Sequence, residues 1–346
     1  MTRQVKVGNV LVGGGAPVSV QSMCSTDTRD IPATLTQLRA LHDAGCEIAR
    51  VAVPDGQAAQ ALGKLCKESP LPLVADIHFD YKLAIQAANA GAAKIRVNPG
   101  NIGSREKVRA VADACRERGI PIRIGVNGGS VDRELLARYG LVEAMTRSAL
   151  EQLGTLEEMG FTDVCLSLKA SNVRDTIAAT RAVAAQTDAP LHLGVTEAGT
   201  SYHGVIKSAA GIGALLLDGI GDTIRVSLTA PPVEEVRAAI ALLKAVGLRS
   251  GGVDIISCPA CARRGIDVAA LAHEVERRLS DITAPIKIAV MGCVVNGPGE
   301  ARDADIGVAP DGNGQAVWFR KGEVIGRIDE AEIADILTKE ARELLR

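Results

Sequence analysis

Short apolar runs alternate with stretches whose hydrophobic positions recur every three to four residues, and this alternation fills most of the chain. Residues 5–12, Val-Lys-Val-Gly-Asn-Val-Leu-Val, alternate around Gly8 and Asn9 and predict a hairpin that plugs one end of a larger fold. Strands are then predicted over 18–23, 48–53, 73–78, 94–98, 122–127, 163–169, 191–197 and 223–228. Helices begin near Ile31, Gly56, Tyr81, Ser104, Val131, Asn172, Tyr202 and Pro232, with an extra helix over 141–160. Eight strand-then-helix units in a row predict an α/β fold, a TIM (β/α)8 barrel. The alternative, a doubly wound open sheet, would carry Gly-x-Gly-x-x-Gly after its first strand. Gly13-Gly14-Gly15 instead precedes a strand and reads as a turn.

The pattern changes after residue 246. The Gly-rich stretch 247–252 reads as a linker, which sets the barrel at 1–246 and a second domain at 253–346. That domain predicts strands over 253–257, 286–290, 305–309, 315–320 and 323–328, with helices over 266–279 and 330–345. It is a small α+β unit built around a cysteine loop.

Composition excludes more than it suggests. Lys and Arg number 39 against 41 Asp and Glu in 346 residues, so no charge excess points to nucleic acid or to a membrane surface. Aromatics at 2% are too few for base-stacking platforms. The first residues have no apolar export segment and no run reaches the length of a bilayer span, so a cytoplasmic protein is expected. Eight cysteines then argue for reduced thiols and a metal centre. Cys24, Cys46, Cys66, Cys115 and Cys165 stand singly among apolar residues and read as packing.

The remaining three carry chemistry. Cys258 and Cys261 stand in Cys-Pro-Ala-Cys, and Cys293 opens the loop Cys-Val-Val-Asn-Gly-Pro-Gly-Glu that ends at Glu300. A structural zinc site wants four closed ligands, and a ferredoxin run packs its cysteines along one segment. Three thiols can hold a 4Fe-4S cluster with one iron lacking a thiolate, to which Glu300 is a loose oxygen ligand. From spacing alone a Cys-x-x-Cys redox pair or half a zinc knuckle remains open.

Barrel enzymes place catalytic groups at the C-terminal ends of their strands, on inward positions spaced by two. Those positions carry Arg50, Asp76, His78, Arg96, Asn98, Arg123, Asn127, Ser167, Lys169, Glu197, Arg225 and Ser227. Any one such Arg reads as a structural ion pair. Five cations converging on one opening read as an anion site, and a diphosphate matches them better than one phosphate. Asp76, His78 and Glu197 are the candidate acids or bases, with Glu197 the stronger claimant to chemistry.

The last barrel helix runs back against the strands, so the chain leaves on the face opposite the mouth. A six-residue linker spans at most about 20 Å, whereas the barrel wall stands roughly 30 to 40 Å tall. A head-to-tail homodimer, each cluster domain covering its partner's mouth, is therefore expected.

The motifs, taken together, resemble a known family. They are Pro-Val-Ser-Val-Gln-Ser-Met, Val-Ala-Asp-Ile-His-Phe around Asp76, Lys-Ile-Arg-Val-Asn-Pro-Gly around Arg96, Arg-Ile-Gly-Val-Asn from Arg123, Gly-Val-Thr-Glu-Ala-Gly around Glu197, Arg-Val-Ser-Leu-Thr from Arg225, and the two cysteine motifs. Nearly end to end, the chain resembles the bacterial 4-hydroxy-3-methylbut-2-enyl diphosphate synthases of the methylerythritol phosphate route. The resemblance implies a 4Fe-4S cluster held by Cys258, Cys261, Cys293 and Glu300. It implies a substrate, 2-C-methyl-D-erythritol 2,4-cyclodiphosphate, held by the barrel's cations, and reduced flavodoxin or ferredoxin as donor of two electrons. It leaves Glu197 as the candidate proton donor to the departing hydroxyl. The rival reading from residues alone is a barrel lyase or isomerase of a phosphorylated sugar with a structural metal in its tail.

Overall fold

The computed structural model describes the whole chain except residues 260, 262–263, 294–298, 300, 312 and 346, with the backbone alone at 99–100. It divides into two compact units, Met1–Arg249 and Ser250–Arg346.

In the first unit an antiparallel hairpin, β1 (Val5–Val7) and β2 (Val10–Val12), turns at Gly8, whose φ of +61° suits glycine. Val5, Val7 and Val12 pack on Ile48, Val74 and Cys165 at the lower ends of barrel strands, so the hairpin does plug one end. Eight parallel strands form the wall: β3 (Ser19–Met23), β4 (Ile48–Ala52), β5 (Leu73–Asp76), β6 (Lys94–Val97), β7 (Ile122–Asn127), β8 (Val164–Lys169), β9 (His192–Leu193) and β10 (Thr223–Ile224). Their order is β8-β7-β6-β5-β4-β3-β10-β9, and a parallel bridge from Leu166 to Leu191 joins the two ends. The barrel is closed. It forms because outward positions such as Leu73, Ala75, Ile95, Ile124, Leu166 and Leu168 bury against the surrounding helices in one core. Inward positions are polar over the upper half, which is the first sign that the interior is a site.

Helices return the chain between strands: α1 (Ile31–Asp43), α2 (Gly56–Glu68), α3 (Tyr81–Ala90), the short α4 (Pro99–Ile102), α5 (Arg105–Arg118), α6 (Arg133–Tyr139), α7 (Leu141–Glu158), α8 (Val173–Ala184), α9 (Ser201–Leu217) and α10 (Pro232–Ala245). Side chains of Asp30, Asp55, Asp80, Asp132 and Asn172 accept backbone N–H bonds at helix starts, which fixes where each helix departs from its loop. The last two strands are shorter than the sequence predicts. Beyond Leu193 the chain reaches Gly194 and then turns at Glu197, a non-glycine residue with φ of +53°, so sheet pairing stops early.

The second unit is a mixed five-stranded sheet in sequence order: β11 (Val253–Ser257), β12 (Ile286–Val290), β13 (Ile306–Pro310), β14 (Gln315–Arg320) and β15 (Glu323–Asp329). The first three are parallel and the last two antiparallel. Helices α11 (Val268–Arg278) and α12 (Ile333–Leu344) bury Val268, Val275, Ile333 and Leu337 on one face of the sheet. Among the described residues no helix is long and apolar enough to cross a membrane.

Candidate active site at the barrel mouth

Strand register assembles the mouth. Asp76, Arg96 and Arg123 occupy paired positions on β5, β6 and β7, and Asn127 pairs with Lys169 across β7 and β8. Side chains in register on neighbouring strands share a face. A cavity of about 200 Å³ is lined by Arg50, Asp76, His78, Arg96, Arg123, Gly125, Asn127, Ser167, Lys169, Thr196, Arg225 and Ser227. Ten of the residues that sequence places at the mouth thus meet in one cavity. Asn98 is buried beside it, its amide 3.5 Å from Ser130 Oγ, and Glu197 is exposed one residue beyond Thr196 at the rim. Neither lines the cavity.

Two inward glycines make room for the cations. A Cβ at Gly125 would lie 2.8 Å from Arg96 Nε, and one at Gly194 would lie 2.6 Å from Lys169 Nζ and 2.9 Å from the Arg225 carbonyl. The side chains therefore fold over bare backbone.

The charges are unbalanced. Arg96 Nη1 donates to Asp76 Oδ1 at 2.9 Å, and Arg50 Nε lies 3.8 Å from the same carboxylate. Burial works against the Asp76 anion, but His78, Arg50 and Arg96 hold its carboxyl well below the usual range. Glu235, buried on α10, accepts from Arg225 at 3.2 Å, from the Leu228 amide at 3.0 Å and from Ser22 Oγ at 3.0 Å. Sequence reasoning missed Glu235, because a carboxylate one turn into an outer helix carries no signal that it faces a strand end. Five cations therefore share two carboxylates. Burial pushes Arg50 down to about 10, with Arg225 and Arg96 adding to the push. Burial and then the neighbouring arginines press Lys169 and Arg123 well below their ordinary values. Like charges that line one partly dehydrated cavity repel one another. An anionic ligand would relieve that repulsion.

In the second unit, Cys258 directly follows β11 and Cys293 lies three residues beyond the end of β12, at the same ends of adjacent parallel strands. The Gly292 N–H points at Cys258 Sγ, 3.2 Å away, and the Gly265 amide donates to the Gly292 carbonyl at 2.9 Å. Cys258 and Cys293 are half-buried and Cys261 is exposed. Among the described residues no three His, Cys, Asp or Glu side chains gather as a metal site. Glu300, the expected oxygen ligand, lies outside the described residues. The donor chemistry nonetheless fits an iron-sulfur group: soft thiols at converging strand ends, with a backbone N–H already aimed at one sulfur.

The family description "GcpE TIM-barrel domain" matches residues 2–240, and "GcpE protein C-terminal domain" matches residues 254–343. The chain belongs to the GcpE family. Proteins named 4-hydroxy-3-methylbut-2-en-1-yl diphosphate synthase (flavodoxin) resemble this GcpE chain closely. The one from Geobacter sulfurreducens is 56% identical over 99% of this chain and 98% of its own. Those from Caldanaerobacter subterraneus subsp. tengcongensis and Clostridium perfringens are 53% and 54% identical, over 100% and 98% of this chain and 98% and 97% of theirs. Among solved structures, the Yersinia pestis dihydropteroate synthase superposes with a TM-score of 0.52 at 14% identity, over 71% of this chain and 98% of that one. At that identity it speaks for the barrel fold alone.

Two further GcpE residues of the mouth were legible but overlooked. Thr196 and the inward Gly125 each continue the period-two pattern, two residues from Gly194 and from Arg123. The remaining five cysteines behave as packing groups. Burial pushes the Cys24, Cys66 and Cys115 thiols up to about 12 and Cys46 to about 11.

Proposed function

We propose that this chain converts 2-C-methyl-D-erythritol 2,4-cyclodiphosphate to 4-hydroxy-3-methylbut-2-enyl diphosphate, a reductive ring opening and dehydroxylation. The reaction consumes two electrons and two protons and releases one water. The observation that carries the reading is the mouth itself, five cations against two carboxylates around a cavity sized for one small ligand. Full-length likeness to flavodoxin-dependent synthases supports the same substrate and donor.

Arg96, Arg123, Lys169 and Arg225 hold the diphosphate oxygens, with Arg50 and His78 beside them, while Asn127 and Ser227 supply hydrogen bonds around the ring and Asn98 stands just outside the cavity. Asp76, kept ionised, aims Arg96 and Arg50, and Glu235 aims Arg225. Glu197, at the rim, is the proton donor to the departing hydroxyl. Cys258, Cys261, Cys293 and Glu300 would hold a 4Fe-4S cluster, which would supply the electrons one at a time. No disulfide forms among the described residues, which supports a reducing, cytoplasmic setting.

The active assembly is a head-to-tail homodimer in this reading. Arg249 donates to the Val18 carbonyl at 3.3 Å and to Glu47 at 2.7 Å, both just below the first residues of β3 and β4. The barrel therefore ends on the face opposite its mouth, which supports a cover supplied by a second copy.

Anaerobically prepared protein with reduced flavodoxin should turn the cyclodiphosphate into the allylic diphosphate. Reconstituted protein that carries iron and sulfide, binds the cyclodiphosphate and yet leaves it unchanged would sink the assignment.

A further inference from the structure

Beneath the mouth, one layer deeper, lies a second set of polar side chains that the proposed reaction does not use. Lys94, His192, Thr223, Ser19 and Gln21 sit on the inward face of their strands, each at most 1% exposed. Ser19, Thr223 and His192 stand side by side in register across β3, β10 and β9. Lys94 lies within electrostatic reach of Arg123, Arg50 and Cys165, and His192 within reach of Arg123, Lys169 and Lys94.

Buried polar groups almost always find partners. Here Lys94 Nζ, Arg123 Nε, Gln21 Nε2, both ring nitrogens of His192 and the hydroxyls of Ser19 and Thr223 have none among the described residues. Gln21 Oε1 already accepts from Arg123 Nη1 at 3.4 Å, so what Gln21 still offers is its N–H2. The ammonium, guanidinium and amide can only donate, and the hydroxyls can donate too. An excess of donors calls for a ligand that only accepts.

Charge gives the same answer. The interior holds Arg50, Lys94, Arg96, Arg123, Lys169 and Arg225, with Asp76 and Glu235 as the carboxylates. A cyclic diphosphate carries one ionised oxygen on each phosphorus, which leaves two cations uncompensated. Lys94, fully buried below the pocket, is the one a mouth ligand serves least. The Cys165 thiol beside it is held neutral by burial and adds no negative charge.

We propose that this layer is a binding site for a small monovalent anion of halide size, held by Lys94 Nζ, Arg123 Nε and Gln21 Nε2 beneath the diphosphate pocket. The donor excess around Lys94 stands without the proposed reaction; only the count of uncompensated charge rests on it.

Crystals of the full-length protein grown with bromide as the sole halide test the assignment at the bromine absorption edge. An anomalous peak within hydrogen-bonding reach of Lys94 Nζ and Arg123 Nε is expected, and it should vanish in Lys94→Met. A water molecule, or no density, at that place in the wild-type map overturns the proposal, as does a peak that persists in Lys94→Met. In solution, chloride in place of gluconate at equal ionic strength should raise the wild-type Tm by about 2–4 °C and leave Lys94→Met unmoved. An unchanged wild-type Tm counts against the site. Should Lys94→Met fail to fold, the wild-type map decides alone. Binding of inorganic pyrophosphate at the mouth, followed by calorimetry in halide-free buffer, reports on the diphosphate reading separately.

Discussion

Gly194 decides where Lys169 can rest. A methyl group there meets Lys169 Nζ at 2.6 Å, which can move, and the Arg225 carbonyl at 2.9 Å, which cannot without shifting a strand. Gly194→Ala is therefore expected to weaken pyrophosphate binding about tenfold, or roughly 1.4 kcal/mol, with iron and sulfide content unchanged; calorimetry reads the first and elemental analysis the second. Lys169 also sets a pH dependence. Its ammonium pKa is lowered in the free barrel by burial and by Arg123 and Arg225, and a bound diphosphate raises it again. Affinity is then full below the lowered value and falls as pH rises through it, with protons taken up on binding. Calorimetry in two buffers of different ionisation enthalpy should show that uptake, and Lys169→Met should lack most of it. Glu197→Gln should bind the cyclodiphosphate within about threefold of wild type and lose about a hundredfold or more in kcat; an unchanged kcat would remove Glu197 from the chemistry. The residues at this scale were readable in the sequence only as far as the period-two rule was applied. Arg96, Arg123 and Lys169 stand out because they sit on the inward face near the mouth, whereas Lys94 and His192 lie one step deeper, where barrel interiors are ordinarily apolar.

Among the elements, the hairpin and the barrel strands do separate jobs. Val7 of β1 is fully buried against the lower barrel, at the end away from the cation cavity. Val7→Ala should cost roughly 1–3 kcal/mol of stability while leaving the Michaelis constant unchanged, and chemical denaturation beside steady-state kinetics would show the split. Strands β5 to β8 and all five of the second unit were legible to within about two residues, because apolar runs bounded by helix caps leave little freedom. The reading of 191–197 as one strand overran. Apolar alternation continues through Val195, but Gly194 adds no side chain to the wall and Glu197 adopts a left-handed turn, and neither event has a hydrophobic signature.

At the scale of the whole molecule, the proposed dimer makes a prediction that no single residue does. Arg96→Met should disable a barrel and Cys258→Ser a cluster unit, so neither variant alone turns over substrate. If each mouth works with its partner's cluster, mixing the two and allowing subunit exchange restores roughly a quarter of wild-type activity, since half the dimers are mixed and each mixed dimer has one intact pair. If each chain serves itself, mixing restores nothing. The barrel wall itself is uneven. Between β8 and β10 it is held by strands two residues long and by one bridge from Leu166 to Leu191, directly under Lys169 and Glu197. Hydrogen-deuterium exchange should reach these amides well before those of β4 to β7. The least-paired stave of the cask thus stands beneath the proposed proton donor, so the enclosure is expected to breathe around Lys169 and Arg225 while β4 to β7 hold Arg50, Arg96 and Arg123 at fixed spacing.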